Sequence, residues 1–234
     1  MHEREDDVAA MAGRYARRAA MAGLYDPLRP EVMQARHERL RVLAALLRRH
    51  ARAPLGELRL LEVGCGQGGN LLDLIGLGFE PAHLLANELL PERAAAARAR
   101  LPGAVRVLEG DALALPLPEA SLDLVLQSTV FSSLLDAGFR ARLAQRLWAW
   151  LKPGGAVLWY DFAVDNPRNP DVVGMPMAEV RRLFPAATID ARRVTLAPPL
   201  ARRGAALHPA LPALLNNLPL LRTHRLAWIA KPDA

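Results

Sequence analysis

The residues best suited to chemistry in this chain are a glycine cluster and the acids around it. Leu60-Leu61-Glu62-Val63-Gly64-Cys65-Gly66-Gln67-Gly68-Gly69-Asn70 runs from an apolar stretch through an acid into four glycines. Where Gly64, Gly66 and Gly68 carry no side chain, backbone can press against a nucleoside-sized group. The unpaired N–H groups at the start of a following helix suit an anionic or carboxylate-bearing ligand. Glu88 ends a second apolar run, where its carboxylate can accept two hydrogen bonds from a ribose diol. Asn70, in the first turn of the helix, can bond ligand or backbone.

Gly64-x-Gly66-x-x-Gly69 followed by Glu88 also fits a dinucleotide fingerprint, whose ribose-binding acid stands roughly 20 residues on. Other residues shift the balance. Glu62 lies two positions before the first glycine, Asp111 ends a third strand, and Lys152-Pro153-Gly154-Gly155 opens a fifth. Together these residues resemble the class I S-adenosylmethionine (SAM) dependent methyltransferases, in particular their small bacterial type 11 branch, over residues 57–163.

The resemblance implies an α/β fold, a Rossmann-like three-layer sandwich with a mostly parallel seven-stranded sheet and an antiparallel last strand. It implies SAM as cofactor, held by Glu62, Gly64, Cys65, Gly66, Gly68, Asn70, Glu88, Leu89, Asp111, Ala112 and Gln127. Leu89 would lie on the adenine face, Asp111 would accept from the adenine amino group, and the Ala112 amide would donate to a ring nitrogen. Cys65, inside the turn, is expected to behave as a small core residue. An N-terminal lid would add Tyr15 and Arg18.

Methyl transfer from a sulfonium is an in-line displacement in which positioning is the main contribution of the protein. A carboxylate acceptor needs no base, whereas a hydroxyl does. Asp161 is the best placed base, with His37 and Tyr160 behind it, and Phe131, Tyr160, Asn166 and Arg168 are candidates for the acceptor wall. The expected activity is methyl transfer to an oxygen of a small-molecule or glycan-like acceptor. One alternative is an NAD(P)-linked oxidoreductase, which calls for a Tyr-x-x-x-Lys or similar proton donor that neither Lys152 nor Lys231 supplies. Another is a non-catalytic SAM-binding partner subunit.

Composition sets the frame for these residues. A chain of 234 residues, 52% hydrophobic and 23% charged, supports one well-cored domain. Its net charge of +6 comes almost wholly from arginine, with Lys152 and Lys231 the two lysines. Nucleic acid is not the expected partner, because no basic stripe with interleaved aromatics is present and aromatics are 5%. One cysteine fits a reducing cytoplasm, and no uncharged apolar run reads as a transmembrane helix. No His, Cys or carboxylate spacing suggests a metal.

The elements that position the site follow from periodicity and punctuation. Residues 1–56 read as a helical arm, a frayed terminus or lid, with a longer helix over 31–50 packing on the sheet. Residues 57–234 form the catalytic domain. Strands are expected at 58–63, 82–88, 104–109, 121–127, 156–162, 186–196 and 222–231, and helices at 68–77, 94–100, 137–151 and 176–184. The apolar segment 197–221 reads as a core-covering helix, or else as a rim for a lipid-linked acceptor or a shallow membrane contact.

Overall fold

The computed structural model describes residues 26–165 and 169–233, together with Gly13 and Gly23. A seven-stranded sheet of order β3-β2-β1-β4-β5-β7-β6 forms its middle layer. The strands are β1 (Leu60–Val63), β2 (Leu84–Glu88), β3 (Arg106–Glu109), β4 (Leu122–Ser128), β5 (Leu151–Phe162), β6 (Thr188–Leu196) and β7 (Arg222–Ala230). β1 to β5 pair in parallel, and β7 lies antiparallel between β5 and β6. Every residue of β1 and β2 is buried, as central parallel strands covered on both faces must be. The antiparallel strand is therefore last in the chain but not last in the sheet, where β6 forms the edge.

Helices α1 (Pro30–His50), α2 (Gly69–Gly76) and α3 (Pro91–Arg100) cover one face. α1 starts with Pro30 in its first turn beside Glu31 and ends in Arg48, Arg49 and His50, a distribution that matches the helix dipole. Its Leu43, Leu46 and Leu47 pack with Leu60, Leu71, Leu124, Leu158, Val194 and Trp228 in one apolar core. On the other face α4 (Ala137–Trp150) sets Phe139, Leu143, Leu147 and Trp150 into a second core with Leu61, Val125, Val157 and Trp159. The side chain of Asp136 caps α4 by accepting from the Phe139 N–H. α5 (Met177–Leu183) adds Val180 and Leu183 to this core.

Two expectations need correction. β5 begins at Leu151 rather than 156, because Lys152-Pro153-Gly154-Gly155 continues the strand across an irregularity between Leu122 and Leu124. Gly155 is required there, since a Cβ would meet the Asp123 carbonyl oxygen at 2.8 Å. The 197–221 segment is not one helix. Its prolines divide it into α6 (Pro198–Leu207), α7 (Leu211–Leu215) and a single turn at Pro219–Leu221. Ala201, Gly204 and Pro212 face inward, while Leu207, Leu214, Leu218 and Leu220 are exposed. Among the described residues no helix is long and apolar enough to cross a membrane.

Candidate functional site

The strand register brings the chemically interesting residues to one edge. Val63 sits beside Asn87 on one side and Gln127 on the other, so Glu62, Glu88 and Gln127 all lie at the carboxyl ends of their strands. In an open α/β sheet this is where ligands bind. The chain leaves β1 in a left-handed turn, with Gly64 at φ 68° and Gly66 at φ 58°. A Cβ on Gly64 would meet Val130 Cγ2 at 2.6 Å, and one on Gly66 would meet Arg93 Nη2 at 2.6 Å. The left-handed conformation favours glycine at both positions, and at Gly64 the Val130 methyl also leaves no space for a side chain. The Cys65 N–H donates to the Asn87 carbonyl oxygen at 2.8 Å and ties the turn to β2. Gly68, also left-handed, caps α2.

Glu62 is fully buried under this turn. Its Oε1 accepts from Asn70 Nδ2 at 2.6 Å, while its Oε2 is buried with no hydrogen-bond partner. Burial pushes its pKa up to about 8, against the Asn70 hydrogen bond and the Arg39 guanidinium, which pull it down. Glu88 is better satisfied. Its Oε2 accepts from the Gly66 N–H at 2.8 Å, its Oε1 accepts from the Leu90 N–H at 3.1 Å, and Arg93 Nε stands 3.8 Å away. A carboxylate has about four lone-pair sites, so acceptor capacity remains for a ligand hydroxyl.

Asp111 ends the link from β3. Its Oδ1 accepts from the Leu113 N–H at 2.9 Å and caps the single turn Ala112–Ala114. Asn87 Nδ2 donates to the carbonyl oxygens of Leu108 and Gly110 at 3.2 and 2.9 Å, holding the ends of β2 and β3 together. Leu89 and Ala112 are half-buried at the same edge. Cys65 is buried, and its thiol is pushed up to about 12, chiefly by burial.

The exit from β4 is strained. Thr129, a β-branched residue, adopts φ 58°, a conformation that costs on the order of 1–3 kcal/mol unless its surroundings enforce it. Here the Thr129 N–H donates to the Tyr160 carbonyl oxygen at 2.8 Å, and Ser133 Oγ donates to the Thr129 carbonyl oxygen at 2.8 Å. Gln127, fully buried, accepts from the Val130 N–H at 3.1 Å and donates to the Tyr160 carbonyl oxygen at 3.5 Å. Asp161 Oδ2 accepts from the Ser132 N–H at 3.1 Å. These bonds fix Val130, and Val130 in turn packs on Gly64.

The acceptor side differs from the expectation. Asp161 has no exposed surface, and its oxygens accept from the Ser132 and Phe162 N–H groups. Its pKa is pushed up to about 6, mainly by burial. It is a loop anchor, with no surface through which to serve as a base. Phe131 is fully buried, with its ring centroid 4.6 Å from that of Trp159. It belongs to the core and not to an acceptor wall. Tyr160 stacks on His224 at 5.0 Å, and its hydroxyl meets Thr195 Oγ1 at 2.9 Å; burial raises its pKa. It too is interior. His37 is exposed on α1. Tyr15, Arg18, Asn166 and Arg168 lie outside the described residues.

Two arginines at the site carry no signal in the sequence. Arg93 lies over Gly66 and beside Glu88. Arg39 stands 5.1 Å from the Tyr160 ring centroid and acts electrostatically on Glu62. Their placement depends on how α3 and α1 lie across the sheet, which local patterning does not reveal.

A family model described as a methyltransferase domain matches residues 60–155, from the first residue of β1 into β5. Residues 60–155 thus match a methyltransferase domain, and the fold is that of the S-adenosylmethionine-dependent class I methyltransferases. That class draws its methyl group from S-adenosylmethionine. The domain's fold is shared with the 1,6-didemethyltoxoflavin-N1-methyltransferase of Burkholderia thailandensis, solved with bound 1,6-didemethyltoxoflavin and S-adenosylhomocysteine. The TM-score is 0.63 at 19% identity, covering 97% of this chain and 89% of that one.

Among curated proteins, the domain is 28% identical over 112 residues to the tRNA N(3)-cytidine methyltransferase METTL2 of Xenopus tropicalis, covering 44% of this chain and 33% of that protein. It is 29% identical over 124 residues to the sterol 24-C-methyltransferase erg-4 of Neurospora crassa, covering 50% of this chain and 31% of that one. The matched region thus spans about a third of the length of these curated relatives. Among the described residues of the methyltransferase domain, no three His, Cys, Asp or Glu side chains group to hold a metal.

Proposed function

We propose that this domain binds SAM at the carboxyl ends of β1, β2 and β3 and passes the methyl to an oxygen of a small-molecule acceptor by in-line displacement. The observation that carries the reading is Glu62 Oε2, a buried carboxylate oxygen without a partner beside a turn whose glycines leave no room for a side chain. An unpartnered buried carboxylate calls for a cation, and the α-ammonium of a methionine moiety is one. When bound, SAM supplies a methyl already activated on a sulfonium. Glu62 would hold the ammonium, the remaining acceptor sites of Glu88 the ribose hydroxyls, and the Asp111–Ala112 turn the adenine edge, with Leu89 against its face. Gln127, Asp161 and the strained Thr129 keep Val130, and through it the glycine turn, in place.

With Asp161 serving as an anchor, the reading favours an acceptor oxygen that arrives ionised, such as a carboxylate. A glycan hydroxyl would need a base from elsewhere. The buried free thiol of Cys65 suits the reducing cytoplasm expected for the chain.

Isothermal titration with SAM, S-adenosylhomocysteine and NAD tests the proposal. SAM and its demethylated product should bind, and Glu88→Ala should weaken both, each lost charged hydrogen bond costing about 1–3 kcal/mol. Binding of NAD alone would replace the reading with an oxidoreductase. Binding of none would leave a scaffold without turnover.

A further inference from the structure

A groove of about 880 Å³ runs between the outer side of α1, the edge strand β6 and α7. It opens at the far edge of the sheet, where β4, β5 and β7 all lie between β6 and β1. Four strand spacings of about 4.8 Å each therefore separate it from Glu62. It is a different place from the methyl site.

Its walls are basic. Arg41, Arg48 and Arg49 of α1 line it with Arg192 of β6 and Arg222 of β7. Glu38, Arg41, Ala45 and Arg48, all lining residues, recur at three- and four-residue spacing, so they share one helix face. Two carboxylates answer these five arginines. Glu38 accepts from the Thr195 N–H at 2.7 Å and stands 3.5 Å from Arg222 Nε. Asp190 is divided among Arg49, His50 and Arg192. Among the described residues, Arg41 and Arg48 have no ionic partner.

A second observation points to a ligand rather than to a solvated basic face. Asn216, 5% exposed, lines the groove, and its side-chain oxygen is buried with no hydrogen-bond partner. Such an orphan costs about 1–3 kcal/mol until a donor reaches it. The wall around it is rigid, because Arg222 Nε donates to the Asn216 carbonyl oxygen at 2.7 Å and its Nη1 donates to the Arg193 carbonyl oxygen at 2.9 Å.

We infer that this groove is a second ligand site, shaped for a small molecule that carries a phosphate group for the arginines and a hydroxyl or amine donor for Asn216. Arginine is the residue suited to phosphate, which its planar fork meets with paired hydrogen bonds. The groove's volume falls within the range of sites for small molecules, about 300–1,000 Å³. The phosphate could belong to a free metabolite or to a nucleic-acid backbone. The enclosed, buried acceptor of Asn216 favours the former.

Titration of the full chain with ribose 5-phosphate, ribose, inorganic pyrophosphate and a single-stranded RNA oligomer distinguishes the sources. Ribose 5-phosphate and pyrophosphate should bind and ribose should not. Arg41→Ala combined with Arg48→Ala changes two exposed side chains, so the circular dichroism should be unaltered while both affinities fall at least about tenfold. Asn216→Ala should weaken ribose 5-phosphate and leave pyrophosphate unchanged. Absence of binding by either phosphate compound, or unchanged affinities in the double arginine variant, would overturn the inference. So would RNA binding that is tighter than ribose 5-phosphate, falls steeply with salt and is lost in the same variant, since the groove would then serve a polyanion.

Discussion

Replacing Glu62 with glutamine separates what this carboxylate costs the fold from what it offers a ligand. In the folded protein its pKa lies near 8 against an ordinary 4.5, chiefly because of burial. Between those values the folded chain keeps a proton that the unfolded chain has released. Stability is therefore highest below about pH 4.5, falls as the pH rises and levels off above about pH 8. At about 1.4 kcal/mol per pH unit, the loss reaches on the order of 3 kcal/mol by pH 7. Glutamine does not titrate, and its Oε1 can still accept from Asn70. Other buried carboxylates titrate alike in both proteins and cancel in the difference. Urea unfolding of the two proteins from about pH 5 to pH 8 should show the stability difference moving in favour of Glu62→Gln by on the order of 3 kcal/mol. Affinity for SAM should move the opposite way and fall by about 1.5–3 kcal/mol, the worth of a hydrogen bond to a charged group. Stability profiles that run parallel across this range would refute the buried, proton-holding carboxylate. An unchanged SAM affinity would remove Glu62 from the ammonium site.

Three further substitutions test how the turn and its supporting loop are held. Gly64→Ala places a methyl 2.6 Å from Val130 Cγ2 at a φ of 68°. It should cost at least about 1–2 kcal/mol from the left-handed backbone alone and reduce SAM binding. Gly69→Ala, with nothing within 4 Å, should leave both the unfolding midpoint and SAM binding nearly unchanged, and equal effects of the two would dismiss the steric account. Asp161→Asn keeps an acceptor for the Ser132 N–H and sets an amide donor against the Phe162 N–H. It should lower stability by about 1–3 kcal/mol, and an unaltered unfolding midpoint would show that the carboxylate is not an anchor.

The glycine turn and the acids at the strand ends were legible because their signals are local. A strand that ends in Glu62 and runs straight into Gly64, Gly66 and Gly68 needs no distant partner to be recognised, and the Glu88 and Asp111 strand ends are local in the same way. The positions of the strands followed from apolar stretches separated by helical patterns, and their parallel order was what the family resemblance implied. Lys152-Pro153-Gly154-Gly155 misled because its residue types spell a helix stop. The β5 pairing with Leu122, and the Lys152 Nζ to Asp123 Oδ1 bond at 2.7 Å, draw it into the strand instead. The division of 197–221 into short helices lay in its prolines, but which leucines would face solvent did not. That depends on packing against α1, a contact remote in sequence.

Three of the acceptor-side candidates, Phe131, Tyr160 and Asp161, lie in the interior for one physical reason. All three follow or end strands at the carboxyl edge, but the strand expected over 222–231 does not show in the sequence which neighbour it pairs with. Here β7 continues the sheet. It pairs Tyr160 with Leu226, Asp161 with Arg225 and Phe162 with His224, so the end of β5 is an interior position with a neighbour on each side. Tyr160 then points into the α1 face against His224 and Thr195. Asp161 points the other way and holds Ser132, whose loop in turn seats Phe131 on Trp159. The same pairing that removes these side chains from the surface makes the loop after β4 rigid, and that loop backs the glycine turn through Val130. The extension of the sheet thus takes these three side chains away from the carboxyl edge and leaves the loop after β4 as a fixed support for the glycine turn.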